Sequence, residues 1–230
     1  TMTKKKIILI LASCLVVLGG LFGFVFGYLP WKEEKDLAQK LLSDERTKRD
    51  YERILERQEE IRKNPQDVGQ YVGLAFNWKA VGDVLNDKKY YKKALEAGLE
   101  GLDRFPRHAI LNMNTGNLYK ELGRFEEAEK RFRKAIEAAP GDPQTYLLLI
   151  DLYKYNLKKS DAEIVKVYQD ALARLVNTLP LLNSFAAYLM DTGQKERALD
   201  FYRELSKAVP DNQSYKQAIT DLEREIAVGG

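Results

Sequence analysis

The sequence predicts an all-α chain: helix hairpins stacked side by side, closed by a C-terminal capping helix and preceded by one hydrophobic rod. Three observations carry this. Small, aromatic and proline positions return with a period of about 34 residues. Charged residues make up 31% of the chain, mixed in sign along helix-favouring runs, and no stretch alternates apolar and polar residues as a half-buried strand does. Residues 7–29 carry no charge at all.

The period is clearest in residues 109–142. There Gly116, Tyr119, Ala128, Phe132, Ala135 and Pro140 hold the eighth, eleventh, twentieth, twenty-fourth, twenty-seventh and thirty-second places of the unit. Gly116 and Ala128 are small enough to let two helices approach, and Tyr119, Phe132 and Ala135 supply packing bulk. Leu122-Gly123 puts glycine where a helix end wants a left-handed residue. Pro140 stops the second helix, because proline lacks the amide donor and clashes with the preceding turn. This spacing resembles the tetratricopeptide repeat, a helix–turn–helix unit found in stacked arrays. The resemblance covers residues 65–228 and implies an α-solenoid, since one hairpin cannot bury its own apolar face.

Taken in order, the chain opens with a basic N-terminus, residues 1–6. The uncharged run Ile7–Leu29 makes roughly 34 Å of helix, enough to cross a hydrocarbon core of about 30 Å. Lys4-Lys5-Lys6 precede it, and Tyr28 and Trp31 stand at its far end. The pattern predicts a single-pass transmembrane helix over residues 7–29 in a cell membrane. The N-terminus is then cytoplasmic and the remainder extracytoplasmic, periplasmic or external. Leu11-Ala12-Ser13-Cys14 resembles a lipoprotein lipobox, but mostly apolar residues follow Cys14 where a lipoprotein has a polar tether. No small-x-small cleavage site precedes a polar start either. Within the span Gly19, Gly23 and Gly27, with Gly20 beside them, clear one face for close packing on a partner membrane helix.

Residues 30–64 form a juxtamembrane helical segment. Pro30 is expected to break the chain. Trp31–Leu42 follows as an amphipathic helix with Leu37, Ala38, Leu41 and Leu42 on one side. Ser43-Asp44-Glu45 resembles a helix start, and Tyr51, Ile54, Leu55 and Ile61 form an apolar stripe over residues 44–63. That stretch is either a stalk or a degenerate repeat helix.

The array proper, residues 65–212, divides into units of about 68–108, 109–142, 143–178 and 179–212. The first has Tyr71, Leu74, Ala75 and Trp78 in core places but is seven residues long for its pattern, two helical turns that leave its buried face inward. Its Gly98 and Gly101 replace an aromatic and an alanine, so thinner packing is expected there. The third has Tyr146, Leu149, Tyr153, Tyr168 and Ala171 in place, with about two extra residues around Lys158-Lys159-Ser160-Asp161. The fourth carries Phe185, Ala186, Leu189, Gly193, Ala198, Tyr202 and Pro210. Residues 213–230 hold the capping helix and tail, with Tyr215, Ile219, Leu222 and Ile226 at helical spacing and charge on the other face.

Residue chemistry argues against an enzyme. A catalytic site needs a base, a nucleophile and an orienting group. The one histidine, His108, falls in an inter-repeat turn as a solvated residue, and the one cysteine, Cys14, falls in the apolar span. One of each cannot build a cysteine–histidine zinc site or an internal disulfide. No glycine-rich phosphate loop is present, and a net charge of +3 gives no footprint for nucleic acid. The expected cofactors, metals and small-molecule substrates are therefore none, and no residue is assigned to catalysis.

What remains is protein binding, with the bilayer as a second partner through residues 7–29. The resemblance implies that the first helix of each unit lines a concave groove that takes a partner's peptide. Its places give Val72, Phe76 and Lys79 in the first unit and Met113, Asn114, Asn117 and Lys120 in the second. The third gives Gln144, Leu147, Leu148, Asp151 and Lys154, and the fourth Asn183, Ser184 and Ala187. Each of the two amides, Asn114 and Asn117, both donates and accepts, as a peptide backbone does. Against this, Met113, Leu147 and Leu148 also fit as packing against the next unit. Some relatives hold a chaperone's C-terminal carboxylate in a basic clamp. Asn114 matches one place of it, but Gln144 and Leu148 stand where lysine and arginine are needed. The resemblance, together with the uncharged span, thus implies a membrane-tethered scaffold or adaptor that binds partner proteins; the alternative is a constitutive structural or assembly subunit of a large membrane complex.

Overall fold

The computed structural model describes residues 29–175 and 178–229. Among them eleven α-helices follow in order, with no strand: α1 (Leu29–Ser43), α2 (Lys48–Lys63), α3 (Val68–Leu85), α4 (Lys88–Arg104), α5 (Ala109–Glu121), α6 (Phe125–Ala138), α7 (Pro143–Asp151), α8 (Asp161–Leu172), α9 (Leu179–Asp191), α10 (Lys195–Ala208) and α11 (Gln213–Gly229). A π-helical turn, Leu152–Leu157, continues α7. The helices pair as successive hairpins, and each hairpin also packs on the next, the pattern of an α-solenoid. No described helix is long and apolar enough to cross a membrane; the span expected over residues 7–29, with Cys14, Gly19, Gly20, Gly23 and Gly27, lies outside the described residues except for Leu29.

The hairpins interlock by size. Gly116 on α5 faces the ring of Phe132 on α6 so closely that a Cβ there would lie 2.7 Å from it. Ala128, Phe132 and Ala135 are buried around this contact. At the α5–α6 and α9–α10 turns Gly123 and Gly193 take φ of +76° and +74°, the left-handed geometry that glycine adopts without strain. Polar caps fix other helix starts. Asp67, Asp87 and Asp142 accept from backbone amides of α3, α4 and α7, and Ser160 with Glu163 forms a reciprocal capping box on α8.

Several expectations are corrected. Pro30 lies within α1, continuous with Trp31–Ser43, and the residues ahead of Leu29 lie outside the described ones. The second helix begins at Lys48 instead of Ser43, because Asp44 turns back to hold Arg46 and the buried Thr47 hydroxyl bonds the Leu41 carbonyl. Leu42 and Leu55 face solvent, while Tyr51, Ile54 and Ile61 are buried.

The α2 helix packs on α3. Arg57 of α2 donates to Asn77 and Gln70 of α3, and Asn77 donates to Asp50. The thinner packing expected at Gly98 and Gly101 is also absent. Both are buried, and a Cβ on Gly101 would lie 2.8 Å from the Tyr71 Cβ and 3.1 Å from Leu111. The glycines draw α4 closer to α3 and α5, and Tyr71 fills the space that an aromatic on α4 would otherwise take.

The two close approaches differ measurably from an open glycine. Gly101→Ala and Gly116→Ala are expected to lower the urea midpoint, each costing about 1–3 kcal/mol through overpacking. Gly141→Ala, with open space at its Cβ position, should change stability by less than about 1 kcal/mol.

Candidate functional site

The first helices of the units, α3, α5, α7 with its π turn, and α9, line one side of the solenoid. The sequence-derived site residues fall into two clusters along it. In the first, Phe76 and Lys79 of α3 meet Asn114 and Asn117 of α5. Together with Ala75, Leu118 and Glu121 they line a cavity of ≈ 200 Å³. Phe76 is 63% exposed, an unusual position for a large aromatic ring. Neither Asn114 nor Asn117 makes a side-chain hydrogen bond among the described residues.

The contrast with two other asparagines is informative. Asn112, half a turn before Asn114, is fully buried and donates to the Pro106 and His108 carbonyls. Asn77 is buried between Asp50 and Arg57. Those two hold the fold; Asn114 and Asn117 hold nothing within it. Lys79 is not a free cation, because its ammonium binds Asp83 at 2.7 Å and Asp83 also accepts from the Tyr91 hydroxyl at 2.8 Å. That bond, ahead of partial burial, pushes the Tyr91 hydroxyl up to about 12.

The second cluster lies between α7 and α9. Asp151 and Lys154 face it from one side and Ser184 from the other, where the Ser184 hydroxyl meets the Tyr168 hydroxyl at 2.9 Å. Two residues missed by sequence reasoning belong here: Tyr155, 61% exposed, and Tyr188, whose hydroxyl donates to Asp161 at 2.5 Å. Lys154 lies over both rings. The repeat places do not point to Tyr155, because the π turn shifts its register away from that of an α-helix.

The remaining positions are less engaged. Val72, Leu147 and Leu148 are half-buried and packed against the core, which for the leucines is the packing role their spacing allows. Met113 and Lys120 are half-buried, and Gln144, Asn183 and Ala187 are exposed. His108 is not simply solvated: its Nδ1 accepts from the Leu111 amide and caps α5. Among the described residues no cluster of three or more histidine, cysteine or carboxylate side chains is placed to hold a metal ion.

This arrangement defines a class, a helical-repeat protein of stacked hairpins. Residues 88–143 and 113–176 match the family model of the tetratricopeptide repeat. Solved structures share the fold at low identity. A thermophilic TPR protein from Thermus thermophilus is 19% identical, with 74% of this chain and 88% of that one covered at a TM-score of 0.50. YrrB, described as a TPR protein with an unusual peptide-binding site, is 18% identical, with 74% and 84% covered and a TM-score of 0.53. A tetratricopeptide repeat protein from Parabacteroides merdae is 14% identical, with 83% and 73% covered and a TM-score of 0.53. No curated protein matches the chain.

Tyrosine burial gives the array a pH limit. Burial, partly offset by the bond to Ser184, pushes the Tyr168 hydroxyl up to about 12, and burial with the bond to Glu129 does the same at Tyr153. An unfolded tyrosine loses its proton near pH 10. Between about pH 10 and pH 12 the folded chain therefore holds more protons than the unfolded one, and stability falls as pH rises. Urea midpoints measured across this range should decline, and Tyr168→Phe should make the decline shallower than in the wild type.

Proposed function

We propose that the chain is a membrane-tethered scaffold. The array holds an extended segment of a partner protein along its concave face, and residues 7–29 anchor it in a cell membrane, N-terminus inside, with the array extracytoplasmic. The observation that carries the groove reading is the cavity beside exposed Phe76, where Asn114 and Asn117 have no hydrogen-bond partner within the described fold. An apolar side chain of the segment would pack on Phe76 and Leu118, while the two amides pair with its backbone. The peptide-binding site named for YrrB is in keeping with this reading.

The tether rests on the uncharged length of Ile7–Leu29 and the lysines ahead of it. Gly19, Gly23 and Gly27 give that helix a face for packing on a partner's membrane helix.

A photo-crosslinking residue at position 117, introduced into the full chain in native membranes, should capture a partner protein. Phe76→Ala and Asn114→Ala should each reduce the yield several-fold, since a lost contact of about 1 kcal/mol is worth a factor of five or so. A yield unchanged in both variants removes the groove from the reading. Carbonate washing should leave the chain in the membrane, and Gly23→Leu should release the partner helix without affecting capture at position 117. A complex of fixed stoichiometry that resists detergent and survives both groove variants would favour a constitutive structural subunit instead.

A further inference from the structure

The cluster between α7 and α9 contains a cation held by aromatic rings. The Lys154 Nζ lies 5.2 Å from the Tyr155 ring centroid and 5.1 Å from that of Tyr188. Both distances are within the range over which a ring's negative face attracts a cation. Lys154 makes no ion pair among the described residues, so the two rings are its electrostatic partners there.

The surroundings carry excess negative charge. Asp151 and Asp191 are exposed and, among the described residues, in no ion pair. Asp161 accepts the Tyr188 hydroxyl, which increases the electron density of that ring. Asp151, Tyr155 and Asp191 all act on the Tyr168 hydroxyl at the base of the cluster. One ammonium thus lies over two rings, in a cluster that Asp151 and Asp191 also border. Of the two cations that follow, Lys159 is held by Glu163 at 3.4 Å, and Lys158 ends the π turn without an ion pair among the described residues.

The exposed ring comes from the π turn. Tyr155 stands inside Leu152–Leu157, where the hydrogen-bond step of five residues changes the side-chain register. Lys158 ends the turn in the left-handed region at φ +51°, a strained position for a residue with a Cβ. Such turns persist where the surroundings or a function favour them.

We propose that the Tyr155–Tyr188 pair is a seat for a basic side chain, arginine or lysine, of the segment bound in the concave groove, and that Lys154 occupies this seat in the free protein. The proposal rests on the groove reading above and adds the chemistry of its second half: an apolar side chain at Phe76 and a cationic one beyond it. Arginine suits the seat better than lysine, because its flat guanidinium stacks on rings while donating to carboxylates. Binding moves the Lys154 ammonium into solvent and replaces it with a cation that the exposed Asp151 and Asp191 can also reach.

The test uses the full chain in detergent micelles, with Nα-acetyl-arginine amide as probe and the neutral citrulline analogue as control. Two rings shield the Lys154 ε-methylene protons, so their NMR signal should lie upfield in the free protein and move downfield as the arginine probe is added. Citrulline should leave it in place. Lys154→Ala should bind the arginine probe at least several-fold more tightly than the wild type, and adding Tyr155→Ala should abolish that gain. Equal response to arginine and citrulline, or no gain in Lys154→Ala, overturns the seat. Because the probe needs no partner protein, its failure is separable from failure of the crosslink at position 117. Arginine binding without that crosslink retains a cation seat but overturns its assignment to a groove-bound segment.

Discussion

Each hairpin of this solenoid has too little apolar surface on its inner side to stand alone, and every other feature follows from that shortage. Stacking solves it only if neighbouring helices come close, and closeness depends on residues without bulk opposite residues with it. Gly116 against Phe132 is the simplest case, and Gly101 extends the same device across units, with Tyr71 on one side and Leu111 of the next hairpin on the other. The partly buried Asp50–Asn77–Arg57 chain works by another route, joining α2 to α3 through directional bonds beside the packing of Tyr51 on Trp78. In both cases the interface between units is as specific as the interior of one.

Much of this is legible from the residues. The turn at Gly123, the stop at Pro140 and the small-against-large pairing of Gly116 with Phe132 need only local rules, and each is present. The departures share a cause. Gly98 and Gly101 signal thin packing only when counted by the bulk they lack, whereas packing depends on the distance between helices, which the missing Cβ atoms shorten. Ser43 resembles a boundary, but Asp44 spends its side chain on Arg46 instead of opening a helix.

The grouping of the first cluster is legible in the same measure. Phe76, Lys79, Asn114 and Asn117 come together because regular α-helices preserve the spacing of the unit. Tyr155 does not obey that spacing, and the reason is physical: one widened turn after Asp151 shifts the side chains that follow. Two surplus residues near Lys158 are visible in the sequence, but their location within the helix end, ahead of the capping box at Ser160, is not. The cation between two tyrosines is the outcome of that local departure.

The length of the first unit of the array has an effect on the shape of the concave face. With 18 residues against 13, α3 extends five residues beyond α5, roughly 7 Å at the helical rise. The turn at Asn86 therefore stands as a lip along one margin of the trough, next to the cleft that Phe76 overlooks. The two margins of this face are therefore of unequal height, raised where α3 and α4 meet and lower where α5 turns into α6.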